Sequence, residues 1–259
     1  MSDLKGKTAL VCGASSGIGR ATAKVLAEQG AQIIALARRE ERLQSLKLEI
    51  EKAGCLSPRI VVADLDQREE AISLVAQQLQ DGPIHILINN SGGPKGGPLL
   101  NAEVSEFELA FNRHVLCAHR FAQLLVPQMQ TQGYGRIVNI ISTSVYEPIP
   151  NLGVSNTIRG AMASWAKSLS RELPPGITIN NVLPGFTDTE RLSSLKAGRA
   201  IAAGITTDDV HRAWLAQVPE GRLAKPQETA EAVAWLVSPK SAYIRGVSLA
   251  VDGGRLRSI

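Results

Sequence analysis

What most constrains this chain is a rhythm: from residue 7 to about 185, short β-branched apolar runs alternate with longer stretches of helical spacing. Strand, helix and strand repeated in this way bury both faces of a parallel sheet, so the rhythm predicts a single-domain, doubly wound Rossmann-type α/β fold. The expected strands are Thr8–Cys12, Gln32–Ala37, Arg59–Ala63, Ile84–Asn89, Arg136–Ile141 and Ile177–Val182. They are continuous apolar runs, as strands covered on both faces require. Between them, Ala23, Leu26 and Ala27, then Leu43, Leu46 and Ile50, fall on one helical face. The 259 residues are read as one domain, 1–259, with a core large enough to need no cross-links. Residues 190–220 interrupt the rhythm with an irregular, partly helical insertion rich in Ala, Gly, Ser and Thr. Two readings stand for it: a substrate loop over the strand ends, or an arm packing on a neighbouring subunit.

Composition removes several function classes. With 44% hydrophobic and 20% charged residues, the chain is ordinary for a globular protein and unlike a disordered one. Cys12, Cys55 and Cys117 are odd in number and far apart, which argues against a disulfide framework or zinc ribbon and for a reducing, cytoplasmic setting. The N-terminus lacks the layout of a signal peptide, and no apolar run approaches the roughly 20 residues of a membrane span. The net charge of +4 is spread among acids and not gathered into a block, so nucleic acid is not an expected partner. A mild positive field favours phosphate-bearing cofactors and acidic substrates. The four histidines show no metal-binding spacing, and no serine sits in a G-x-S-x-G elbow.

Directly after the first strand comes Gly13-Ala14-Ser15-Ser16-Gly17-Ile18-Gly19, opening a helix. Glycines there permit a tight turn and the close approach of a pyrophosphate, and the helix N-terminus supplies oriented N–H donors. Placed between strand and helix at the start of a βαβ unit, the trio indicates a dinucleotide site. The second strand ends Ala37-Arg38-Arg39, with no acid where an NAD(H) site holds both ribose hydroxyls. The paired arginines match a 2′-phosphate and favour NADP(H), with NAD(H) still possible. The alternative is that they begin a solvated helix and pair with Glu40 or Glu41.

With these landmarks the chain resembles the short-chain dehydrogenase/reductase family over nearly its whole length, and among its members the 3-oxoacyl-thioester and carbonyl reductases. The shared features run through the glycine turn, Asp64-Leu65, Asn89-Asn90-Ser91-Gly92, Asn139, Pro184-Gly185 with Thr189, and Val251-Asp252-Gly253-Gly254. The resemblance implies a seven-stranded, mainly parallel sheet and carbonyl reduction, or the reverse, on a small-molecule or acyl-thioester substrate. It also implies a homotetramer, with a homodimer possible, built through the Ala102 to Met129 helix and the Gly246 to Gly254 segment. By the same resemblance, Asp64 contacts the adenine, Asn89 packs at the cofactor ribose, and Thr187 and Thr189 lie beside the nicotinamide. Gly13, Ser15, Ser16, Gly17, Ile18, Gly19, Leu65, Ser91, Gly92, Pro184 and Gly185 complete the expected cofactor site.

The family's catalytic Tyr-x-x-x-Lys is where the resemblance breaks. Its register over the helix from Val154 to Leu173 places Ser155 at the tyrosine and Arg159 at the lysine. Ser142 fits the family serine that hydrogen-bonds the substrate carbonyl, and His114 stands at the supporting asparagine. Arg159 keeps the charge and the donors to hold ribose hydroxyls, whereas serine needs an adjacent base even to act as a nucleophile. Two residues offer the missing proton. Tyr146, four after Ser142, is either a relocated acid or a lid aromatic; His114 is either a general acid or a helix histidine satisfied by a carbonyl. Lys95, in the Gly-rich stretch Ser91 to Pro98, either attracts an anion or sits in an unliganded turn. A different class of function also fits: a catalytically silent protein that binds NADP(H) as a sensor or structural partner.

Overall fold

The apolar runs sort their residues to two faces by strict alternation. In β1 (Thr8–Cys12), Ala9 and Val11 join one core layer while Leu10 and Cys12 join the other. The same alternation places Ile33 and Ala35 opposite Ile34 and Leu36 in β2 (Gln32–Ala37). The first layer is closed by α1 (Gly17–Glu28), α2 (Glu40–Lys52) and α9 (Pro226–Val237). The second is closed by α3 (Arg68–Gln77), α5 (Cys117–Thr131) and α6 (Gly153–Glu172). Burying both faces of a sheet in this way is what favours parallel strands.

The remaining strands are β3 (Arg59–Val62), β4 (Ile86–Asn89), β5 (Gly135–Ile140), β6 (Ile177–Pro184) and β7 (Ser248–Val251). In this computed structural model, which describes residues 3–257, they form one sheet of order β3-β2-β1-β4-β5-β6-β7. All six pairings are parallel, so the sheet is wholly and not mainly parallel. The order reverses between β1 and β4, and a ligand crevice opens at the strand ends beside such a switch point. No helix among the described residues is long and apolar enough to cross a membrane.

Beyond shifts of one or two residues at the ends of β3, β5 and β6, the following expectations change. β4 starts at Ile86 and not Ile84, because the Thr8 N–H is taken by Nδ1 of His85 at 3.1 Å before the ladder begins. The single helix expected from Ala102 to Met129 is two helices, α4 (Val104–Phe111) and α5, joined by a π-turn at Asn112–Leu116. The 190–220 insertion is not irregular: it is the helix pair α7 (Glu190–Ala203) and α8 (Thr207–Leu215). Thr189 caps α7 and Thr206 caps α8 through a capping box. Ala200, Val210 and Trp214 form a small core of their own, and Trp214 stacks on Phe186 at 5.1 Å, pinning the pair to the end of β6.

Candidate active site

The glycine turn after β1 is dictated sterically. Gly13 and Gly17 have φ of +63° and +54°, a region open to glycine. A Cβ on Gly19 would lie 2.3 Å from the Gly13 carbonyl oxygen, and one on Gly13 would lie 2.5 Å from Nδ2 of Asn90. Asn90 fastens the turn by donating to the Cys12 carbonyl at 3.2 Å. The result is an α1 N-terminus with no side-chain cap and no acid in its first turn, open to the crevice. Such an end concentrates N–H donors and positive potential.

The crevice has a volume of about 940 Å³. Gly13, Ser15, Ser16, Gly17, Ile18, Arg38, Arg39, Asp64, Leu65, Ser91, Gly92, Pro184, Gly185, Thr187 and Thr189 all line it. Arg39 folds over the turn, donating to Ser16 Oγ at 2.9 Å and Ser15 Oγ at 3.1 Å. Arg38 pairs with Asp64 at 3.6 Å, and Arg39 pairs with Glu190 at 3.6 Å. Arg42 also pairs with Glu190. The arginine partners are therefore Asp64 and Glu190, and not the neighbouring Glu40 or Glu41.

Asn89 does not line the crevice. Its Nδ2 donates to Asn139 Oδ1 at 2.8 Å, Asn139 donates to Asn181 at 2.9 Å, and Asn181 donates to Ser248 Oγ at 3.1 Å. These residues share one register across β4, β5, β6 and β7. A polar ladder thus crosses the sheet interior, and buried amides satisfied in series hold the strand ends rigid under the site. Sequence reasoning singled out Asn89 and Asn139 but missed Asn181 and Ser248. The signal was present as an asparagine interrupting each of three apolar strands.

At the other end of the crevice stand Ser142, Ser155 and Arg159. Ser142 Oγ accepts from the Ser144 N–H at 3.0 Å, which leaves its own hydrogen for a ligand. Arg159 is only 8% exposed. It donates to the Ile140 carbonyl at 3.0 Å and the Ser91 carbonyl at 3.4 Å, and burial followed by repulsion from Arg191 lowers its pKa to about 10. His114 lies behind this wall on the π-turn, with Nδ1 2.7 Å from Ser91 Oγ and Nε2 buried without a partner. Burial first, then the Arg159 and Arg113 charges, hold its pKa well below the usual imidazole range, so it is neutral near pH 7.

Tyr146 is not brought to the crevice. It is 52% exposed, with its hydroxyl 3.5 Å from the Ser248 carbonyl. Tyr134 is tied to the Val237 carbonyl and Tyr243 is fully exposed, so none of the three tyrosines lines the crevice. Residues missed in sequence include Arg191, Leu195, Gly198 and Arg199 on α7, which form one wall. Lys95 also lines the crevice, in the loop that Gly97 anchors by donating its N–H to the Asn151 carbonyl at 2.8 Å.

Comparison with known proteins places the chain among reductases of one family and fold. Residues 13–255 match the family model described as enoyl-(acyl carrier protein) reductase. The chain is 33% identical over 255 residues to the 3-oxoacyl-[acyl-carrier-protein] reductase FabG of Vibrio harveyi, covering 97% of this chain and 98% of that one. Among solved structures it is similar to an L-sorbose reductase from Gluconobacter frateurii complexed with NADPH and L-sorbose. The TM-score there is 0.93 at 27% identity, with both chains covered in full. It is also similar to an actinorhodin polyketide ketoreductase with NADPH, with a TM-score of 0.92 at 30% identity, covering 100% of this chain and 99% of that one.

Proposed function

Because this chain belongs to the short-chain dehydrogenase/reductase family, we propose that it reduces a carbonyl group with NADPH, or oxidises the matching alcohol with NADP⁺, by a proton route that uses no phenol. The observation that carries the reading is one crevice shared by two sites: an uncapped, acid-free helix N-terminus behind a glycine turn, and the Ser142, Ser155 and Arg159 group. The residues present fit the cofactor. The Gly13–Gly19 cradle and the α1 N–H groups would hold a pyrophosphate, Arg39 with Ser15 and Ser16 a 2′-phosphate, and Arg159 ribose hydroxyls. When bound, NADPH supplies hydride to the carbonyl carbon.

The chain's own residues handle the oxygen. Ser142 donates a hydrogen bond to it, polarising the carbonyl and stabilising charge as it develops. Of the two donors considered from sequence, Tyr146 stands outside the crevice and His114 is neutral, and a neutral imidazole is too weak an acid to give up its remaining proton near pH 7. His114 instead positions Ser91, whose Oγ lies 2.7 Å from its Nδ1. The Ser91 and Ser142 hydroxyls hydrogen-bond the developing alkoxide, and water at the crevice mouth gives up the proton and leaves as hydroxide. The α7–α8 pair is the lid: its residues form a crevice wall, and excluding water strengthens every polar contact inside. The exposed apolar residues Val104, Leu109, Phe111 and Leu116 on the α4–α5 side are the surface through which the chain forms a homotetramer.

A second reading, a silent NADP(H) binder acting as a sensor or structural partner, is favoured by the absence of any tyrosine from the crevice. One experiment separates the two. NADPH binding is measured by fluorescence, then NADPH oxidation is followed with 3-oxoacyl thioesters, 2-enoyl thioesters, ketones, aldehydes and short oxo acids. Wild type is compared with Ser91→Ala, His114→Asn and Tyr146→Phe. The expected outcome is turnover that falls roughly a hundredfold in Ser91→Ala and His114→Asn and holds in Tyr146→Phe. Tight binding without turnover across the panel would sink the enzymatic reading.

A further inference from the structure

The charges along the crevice are divided unevenly. Its two carboxylates, Asp64 and Glu190, both stand at the Arg38–Arg39 end and are already paired there. At the Ser155 end the crevice is lined by Lys95, Arg159, Arg191 and Arg199. Among the described residues none of these four has a carboxylate within ion-pair distance. For the three on the crevice rim, exposure to water makes this unremarkable. Arg159 is different. It is 8% exposed, its hydrogen bonds go to neutral carbonyls, and a buried charge without a counter-charge is costly.

Arg191 adds to that cost. Although Arg191 is exposed, its guanidinium reaches across the crevice and donates to the Pro94 carbonyl. A Cβ built on Gly93 would lie 3.5 Å from Arg191 Nη2, 3.9 Å from Arg159 Nη2 and 3.8 Å from Ser155 Oγ. Two like charges and a hydroxyl therefore converge on one gap, kept open because residue 93 has no side chain and residue 155 a short one. Two guanidiniums facing a common gap repel unless an anion sits between them, and paired arginines match the fork geometry of a carboxylate. Ribose hydroxyls held by Arg159 are neutral and leave this charge uncompensated.

We propose that the substrate is a short oxo acid, or the matching hydroxy acid, whose carboxylate sits between Arg159 and Arg191 and accepts a hydrogen bond from Ser155. This rests on the carbonyl-reductase reading above and names its substrate class. Arg159 and Ser155 come from α6 and Arg191 from α7, so the carboxylate also joins the lid to the body of the fold, and binding draws the lid closed.

The test is calorimetric and needs no turnover. Protein saturated with NADP⁺ is titrated with acetoacetate, levulinate and 2-oxobutyrate, each against its own methyl ester. At least one acid is expected to bind roughly tenfold or more tightly than its ester. Arg191→Gln removes the preference and leaves NADP⁺ affinity as in wild type. Gly93→Ala, whose φ lies outside the left-handed region, places a methyl group in the gap with every charge retained and weakens the acid alone. Equal binding of acids and esters, or no binding by any acid, overturns the proposal. So does an Arg191→Gln variant that loses NADP⁺ instead, since the cation then serves the cofactor pyrophosphate. Carboxylate binding without NADPH oxidation leaves the carboxylate site between Arg159 and Arg191 standing but overturns its role as a substrate site together with the enzymatic reading; turnover of neutral carbonyls without acid selectivity keeps the enzymatic reading and overturns the site.

Discussion

Arg39 holds Ser15 and Ser16 with one nitrogen and faces Glu190 with another. A 2′-phosphate arriving there meets a guanidinium already positioned by neutral hydroxyls, so little side-chain freedom is lost on binding. Replacing Arg39 with Ala is expected to weaken NADPH roughly tenfold or more, by the loss of charge-assisted bonds, and to leave NADH affinity unchanged. Parallel fluorescence titrations with the two cofactors check this, and an equal loss for both would reassign Arg39 to holding the turn. That these residues would meet in one crevice was legible in the sequence, because the glycine turn and Arg38-Arg39 stand at the ends of neighbouring parallel strands and line it together. Tyr146 was not. Its spacing from Ser142 suggested the crevice, but the 3₁₀ turn at Thr143–Val145 carries it round to the Ser248 side. Spacing fixes distance along the chain and not direction after a turn. Arg191 left no trace either, since an arginine near the start of an amphipathic helix looks the same whether it faces water or another arginine.

At the scale of elements, the π-turn at Asn112–Leu116 is what moves His114 behind Ser91. A single π-turn inside a helical stretch often marks a functional position, and sequence periodicity cannot reveal it because one extra residue only shifts the phase. The buried imidazole has a measurable consequence. Its folded pKa is depressed while the unfolded value stays near the ordinary 6.5. Above that value both states are neutral and stability is undiminished. As pH falls below it, the unfolded chain takes up a proton that the fold refuses, and stability declines by up to about 1.4 kcal/mol per pH unit for each such histidine. His85 is depressed by burial, then by Lys7, and contributes with the same sign. Urea midpoints measured from about pH 7 to 5 should therefore fall, and His114→Asn should flatten the slope without abolishing it. An unchanged slope would show that His114 is not neutral in the fold. The α7–α8 pair was half legible: its composition marked it as a break in the strand and helix rhythm, open to a substrate loop or a subunit arm, but Trp214 stacking on Phe186 joins residues too far apart for local pattern to connect.

On the scale of the whole molecule, the strand and helix alternation made the architecture readable in advance, down to which residues share a face. The oligomeric state was not, because an apolar helix face looks the same whether it meets a core or another subunit. Val104 and Leu109 are exposed on α4. If the proposed tetramer forms through this face, substituting both with Glu lowers the mass measured by light scattering, with the circular dichroism of the fold retained; an unchanged mass would move the interface elsewhere. One interior feature bears on how such a molecule comes to exist at all. The ladder from Asn89 through Asn139 and Asn181 to Ser248 joins strands separated by tens of residues, whose pairing is non-local and therefore slow. Apolar strands alone would tolerate a slip of two residues, since it preserves which side chains face which layer. A slipped amide would be stranded in an oily interior, at about 1–3 kcal/mol for each unmet group. The ladder therefore penalises every slipped register: the alignment of the four strands that closes it is the one that brings the cofactor turn and Ser142 to the same crevice.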